Sequence, residues 1–162
     1  MFEMDRRSWL KGAAATVALA PRAWAAAARD EKASKVGLPH ARPAPADRHF
    51  SSVAVETLIP RIRQRIADPA LATLFENCFP NTLDTTVWPG TFEGKPDTYV
   101  VTGDIDAIWL RDSSAQLWPY LPLSKEDAPL RELIEGVIRR QARMILLDPY
   151  ANSFVRNVRI RR

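Results

Sequence analysis

The segment from Asp127 to Leu147 most limits what this chain can become. Leu130, Leu133, Ile134, Val137, Ile138, Ile145 and Leu146 recur at i, i+3, i+4 and i+7, which puts one apolar face on a helix. Arg131, Glu132, Glu135, Arg139 and Arg140 fall mostly on the other face, where solvent suffices for them. Asp127 is placed to cap the start, and Asp148-Pro149 to stop the helix. A long helix with one apolar face has to be covered by other elements, so a packed, mainly α-helical fold is expected.

The preceding elements are shorter. Val55, Leu58, Ile59, Ile62 and Ile66 predict a helix over 55–67, kinked or delayed by Pro60. Asp68-Pro69 reads as an N-cap followed by proline at the first helical position, opening a helix to about Cys78 that Phe79-Pro80-Asn81 closes. Thr85 to Trp88 and Thr98 to Thr102 are β-branched and aromatic and flank the turn-rich stretch from Pro89 to Asp97, which predicts a small β-hairpin.

The second strand runs straight into the chemically richest part of the chain. Thr102 to Tyr120, TGDIDAIWLRDSSAQLWPY, holds Asp104, Asp106, Asp112, Arg111, Trp109 and Trp118. Aromatic faces cover the C–H face of a sugar ring, while carboxylates and guanidinium hydrogen-bond its hydroxyls, so the mixture points to a carbohydrate ligand. The stretch is expected to begin as a loop and turn helical near Ser113. Arg111 is placed to donate two bonds and Asp112 to accept from a vicinal diol. Trp109 is read as a platform or as core, and Trp118 mainly as core. Asp104 and Asp106 are expected to hold the loop shape through nearby backbone N–H groups. Gln116, four residues beyond Asp112, is expected either to face the same cleft or to brace it. Asn152 suits a binding role or a turn. The spacing of the three aspartates lacks the glycine and terminal glutamate of a calcium loop, so no metal is expected.

The run VTGDIDAIWLRDS (Val101–Ser113) resembles the N-terminal motif of glycoside hydrolase family 125, and DPYANSF (Asp148–Phe154) resembles a second motif of that family. The resemblance spans about residues 50–154. It implies the N-terminal part of an (α/α)6 barrel carrying a small β-hairpin. It also implies an inverting, metal-independent exo-α-1,6-mannosidase without cofactor, acting on a mannose-containing glycan. Trp109, Arg111, Asp112, Asp104, Gln116 and Asn152 are then the substrate-binding candidates. Inverting glycosidases hold a general acid and a general base roughly 6.5–9.5 Å apart. The resemblance places both beyond Arg162, so no catalytic residue is assigned within this chain, and little hydrolysis is expected from it alone. Twelve helices of roughly 10–14 residues exceed its length, so an incomplete barrel is expected. A non-catalytic glycan-binding module using the same residues is the alternative.

The two ends read differently from the middle. Arg6-Arg7-Ser8-Trp9-Leu10-Lys11, the apolar run from Gly12 to Ala20 and the small-residue site Ala23-Trp24-Ala25 form a twin-arginine export pattern over 1–25. The expected partner in transport is the twin-arginine machinery, and the destination is the periplasm or the exterior. The apolar run is too short to span a bilayer. Residues 26–49, rich in Ala and Pro, are expected to be a linker, with ordered sequence beginning near Phe50. The alternating basic tail 155–162 is expected to be off-frame after a truncation or frameshift near Phe154.

Charge follows the same division. The formal charge of +4 comes from the ends. Segment 1–25 carries four basic and two acidic residues, and 156–162 carries four arginines. The rest has 15 basic against 17 acidic residues, which is no nucleic-acid footprint. The single cysteine, Cys78, excludes an internal disulfide and is expected to be a small core residue. The absence of Cys/His clusters and of a glycine-rich phosphate loop argues against an exported redox protein.

Overall fold

The computed structural model describes residues 37–156. The export pattern with Arg6 and Arg7, and the tail beyond Arg156, lie outside the described residues. Four α-helices dominate: α1 (Val53–Arg63), α2 (Pro69–Cys78), α3 (Leu110–Leu117) and α4 (Ala128–Leu147). Four two-residue strands, β1 (Val87–Trp88), β2 (Thr91–Phe92), β3 (Lys95–Pro96) and β4 (Tyr99–Val100), complete the regular structure. β1 pairs antiparallel with β4 in the register Val87–Val100, and β2 with β3 in the register Thr91–Pro96. The expected hairpin is therefore present, with its loop folded into a second, inner pair.

Thr85 and Thr86 do not belong to the hairpin. They sit in a π-helical turn, Thr82–Thr86, where their hydroxyls donate to the carbonyls of Asn81 and Thr82 at 2.8 Å. This side-chain route competes with strand pairing.

Caps set the helix starts. Ser52 caps α1 by accepting from Val55 N–H at 3.2 Å, so the helix opens before the apolar run does. Pro60 lies inside α1. Asp68 accepts from the N–H groups of Ala70 and Leu71 at 2.7 and 3.2 Å, with Pro69 at the first helical position. Asp127 is buried and accepts from Leu130 N–H at 3.0 Å while its second oxygen takes Ser52 Oγ at 2.6 Å and Ala54 N–H at 3.1 Å. One carboxylate thus joins the starts of α1 and α4. Burial opposes its ionisation, but the Ser52 hydroxyl and the backbone amides outweigh it and hold the carboxyl below the usual carboxylate range.

The core lies between α4, the hairpin, α1 and the 3-10 stretch Trp118–Lys125. Leu130, Leu133, Val137 and Met144 of α4 meet Val87, Tyr99 and Val100 there. Gly136 lets the hairpin approach: a β-carbon there would stand 2.5 Å from Thr98 Oγ1 and 2.9 Å from its backbone nitrogen. Burial raises the Tyr99 phenol to about 12, aided by nearby Asp106.

Three expectations for α4 and its surroundings are corrected. Ile138, Ile145 and Leu146 are exposed. Arg140, expected in solvent, turns inward to Asp97, which also takes Arg143 Nη2 at 2.6 Å. Trp118 is 72% exposed rather than core. The Asp97 carboxylate, only 6% exposed, needs cationic partners when removed from water, and Arg140 supplies one.

Residues 38–49 are likewise no free linker, and Leu38 onward belongs to the same compact unit as the helices. Arg42 ties Asp84 (Nε to Oδ2, 2.6 Å) to Glu56 (Nη1 to Oε2, 2.9 Å). The Arg42 guanidinium holds the Glu56 carboxyl below its usual range against the effect of burial. His49 packs against Trp88 at a tilt of 50°, with ring centres 4.1 Å apart. Cys78 is exposed rather than core.

Candidate functional site

The loop between β4 and α3 is shaped by Thr102. Its hydroxyl donates to Ala107 O at 3.1 Å and accepts from Trp109 N–H at 2.9 Å, and its N–H also reaches Ala107 O at 2.9 Å. Gly103 takes φ +90, a region closed to most side chains. Asp104 and Asp106, expected to hold this loop, are both exposed. Asp106 instead lies 3.5 Å from Arg156. A β-branched hydroxyl at the end of a predicted strand is the signal that would have identified Thr102.

Trp109 stands half-buried in extended conformation at the N-cap of α3. The first helical turn follows at once and presents Arg111 and Asp112. Arg111 is 89% exposed and Asp112 43%, with 3.3 Å between Nη2 and Oδ1. The pair faces water rather than the core, and an exposed pair of this kind adds little stability. The turn itself is firmly seated. Buried Ser113 donates to Trp109 O at 2.7 Å. Gln141 of α4 donates through Nε2 to Leu110 O at 3.1 Å and Ser113 Oγ at 2.7 Å. Sequence reading missed Gln141, whose only mark is a polar residue interrupting the apolar face of α4.

The second motif comes to the first through a single β-bridge. Ile108 N–H donates to Phe154 O at 2.9 Å and Phe154 N–H to Ile108 O at 3.0 Å. Asn152 is exposed two residues before this bridge. The register also sets Arg156 near Asp106. The Arg156 guanidinium lies 4.0 Å from the centre of the Trp88 ring. Gln116 is not part of this group. It lines a cleft beside α2 with Phe75 and Tyr120. Trp109, Arg111 and Asp112 thus follow one another at the start of α3, Asp104 lies in the loop before it, and Gln116 lines a separate cleft.

Chemically, this surface offers a half-buried indole, a free guanidinium fork and an acceptor carboxylate on a braced turn. That combination can hold a hydroxyl-rich ring. Among the described residues, no group of three His, Cys, Asp or Glu side chains is arranged to hold a metal ion. No helix among them is long and apolar enough to cross a membrane.

Comparison with known proteins identifies the family. The family described as metal-independent alpha-mannosidase (GH125) matches residues 68–161. The chain belongs to this glycoside hydrolase family. The meiotically up-regulated gene 157 protein of Schizosaccharomyces pombe is 52% identical over 118 residues, which are 72% of this chain and 23% of that protein. A solved metal-independent alpha mannosidase from Streptococcus pneumoniae, in a non-productive substrate complex with alpha-1,6-mannobiose, is 45% identical, with a TM-score of 0.59 over 67% of this chain and 25% of its own. The chain therefore spans about a quarter of the length of these relatives. The family match runs through residue 161, and Arg156 is seated against Trp88 and Asp106. The tail expected to be off-frame after Phe154 therefore lies inside the family's sequence.

Proposed function

We propose that this chain forms one wall of the pocket that holds a terminal α-1,6-linked mannose in an exported, inverting mannosidase of (α/α)6 type. The observation that carries this reading is the solvent-facing Arg111–Asp112 pair on a turn braced by Gln141, directly after Trp109, with the segment that holds Asn152 tied in at the Ile108–Phe154 bridge. Arg111 donates to one sugar oxygen, Asp112 accepts from neighbouring hydroxyls, and Trp109 covers the ring face. The group supplies binding and orientation. It lacks two carboxyls set across a scissile bond, so the acid and base belong to other family sequence and the chain alone does not hydrolyse. Export by the twin-arginine route to the periplasm or exterior is part of the same proposal.

The test is titration of the full chain with α-1,6-mannobiose by calorimetry, with mannose release assayed in parallel. Saturable binding lost in Arg111→Ala and Asp112→Ala, without release, is expected. Binding unchanged in both variants would sink the pocket assignment, and turnover that survives a chelator would sink the claim that the acid and base lie elsewhere. Binding that Trp109→Ala abolishes, in a chain that no family sequence renders active, favours the glycan-binding module.

A further inference from the structure

Trp109 stands at the N-cap of α3, yet an indole carries no acceptor oxygen and makes no capping hydrogen bond there. The turn that displays Arg111 and Asp112 is therefore held by other means. Thr102 Oγ1 accepts from Trp109 N–H at 2.9 Å, and Ser113 Oγ donates to Trp109 O at 2.7 Å. Gln141 reaches the same turn from α4. Its Nε2 stands 3.1 Å from Leu110 O, 2.7 Å from Ser113 Oγ and 3.0 Å from Ser114 Oγ, so two amide protons serve three oxygens. Leu110 and Ser113 bracket Arg111 and Asp112 in the chain.

Packing alone would be served by a different residue at this position. Gln141 follows Ile134 by seven residues and Val137 by four, on the apolar face of α4. It lines an apolar cleft with Leu117, Ile134, Val137 and Ile138. An apolar side chain would suit that cleft, whereas the amide suits the turn. Arg111 is exposed and has little packing to aim it, so its direction is set by the backbone beneath it. A ligand-binding pair needs that backbone held to within about 0.5 Å and 10–20°.

We infer that Gln141 is a positioning residue: from α4 it takes the place of the missing N-cap of α3 and fixes the angle at which Arg111 and Asp112 meet the hydroxyls of a sugar. The choice of ligand rests on the mannose-pocket reading above, while the hold on the turn stands on the hydrogen bonds alone.

The full chain is compared with two variants. Gln141→Met removes the donor and keeps an unbranched side chain that packs against the apolar cleft. Gln141→Lys keeps a donor. Amide exchange is followed by NMR, thermal melting by circular dichroism and α-1,6-mannobiose binding by calorimetry. In Gln141→Met the Ser113 and Ser114 amides should exchange about tenfold faster, with exchange in the middle of α4 and the thermal midpoint unchanged. Mannobiose binding should weaken roughly tenfold in the same variant. Gln141→Lys should bring both back to within about threefold of wild type. Unaltered exchange at Ser113 and Ser114 in Gln141→Met overturns the inference. So does a fall in thermal midpoint with faster exchange throughout α4, which makes Gln141 a residue of the fold at large. A loosened turn with mannobiose binding intact overturns the positioning role, and no recovery in Gln141→Lys overturns the role of the donor. A wild-type chain that binds no mannobiose, while Gln141→Met still loosens α3 alone, leaves the hold on the turn standing and removes the pocket reading.

Discussion

Asp97 and Asp112 each face arginine, and the protein treats them in opposite ways. Asp97 is nearly sealed from water beneath Arg140 and Arg143 and locks the hairpin to α4. Asp112 stands at the start of α3 with one exposed arginine beside it. The first cluster spends its hydrogen bonds on the fold. The second leaves most of its donors and acceptors free, although the turn beneath it is fully bonded. Burial, rather than residue type, separates an ion pair committed to the fold from one whose groups stay open to solvent.

Substitutions that should have unequal effects test this contrast. Asp97→Ala leaves the buried Arg140 guanidinium without its carboxylate partner, and a loss of about 3 kcal/mol is expected in denaturant unfolding. A loss below about 1 kcal/mol would show the cluster to be effectively solvated. Gly136→Ala forces a methyl group against Thr98, so a loss of about 1–3 kcal/mol is expected, partly offset by the better helix propensity of alanine. A neutral result would mean that the hairpin can move off α4. Asp127 ionises below its ordinary range when folded. Its contribution is therefore complete above the unfolded value of roughly pH 4 and is lost as pH falls through the folded value. Thermal melts of Asp127→Asn should show about 1 kcal/mol less stability near pH 6 and a shallower acid slope. An unchanged slope would remove this carboxylate from the acid response. Arg111→Ala should alter stability by no more than about 0.5 kcal/mol while abolishing mannobiose binding. A large stability loss there would place Arg111 with Asp97 as a structural residue.

Much of the fold was legible because caps and turns act locally. Asp68-Pro69 and Asp127 announced α2 and α4, and the β-branched runs announced the hairpin. Long-range matching was not legible. Arg140 looked like a solvent-facing residue because its position on the helix wheel gives no sign of a buried aspartate 43 residues earlier. Arg42 and His49 looked like linker because their partners, Asp84 and Val87, are equally remote. At the candidate site, Trp109, Arg111 and Asp112 were read from their side-chain chemistry and from the motif's resemblance to the family. Thr102 and Gln141, which position them, escaped because a hydroxyl and an amide reveal their role only once their partners have been brought within reach.

The Ile108–Phe154 bridge makes α4 a ruler. Everything between the two motifs' contact points must add up, and the longest single piece of it is one uninterrupted helix of 20 residues. Each residue inserted in a helix advances its end by about 1.5 Å and turns it by about 100°. A one-residue insertion in the exposed back of α4 would therefore pull Phe154 out of register with Ile108 while leaving every side chain at the start of α3 intact.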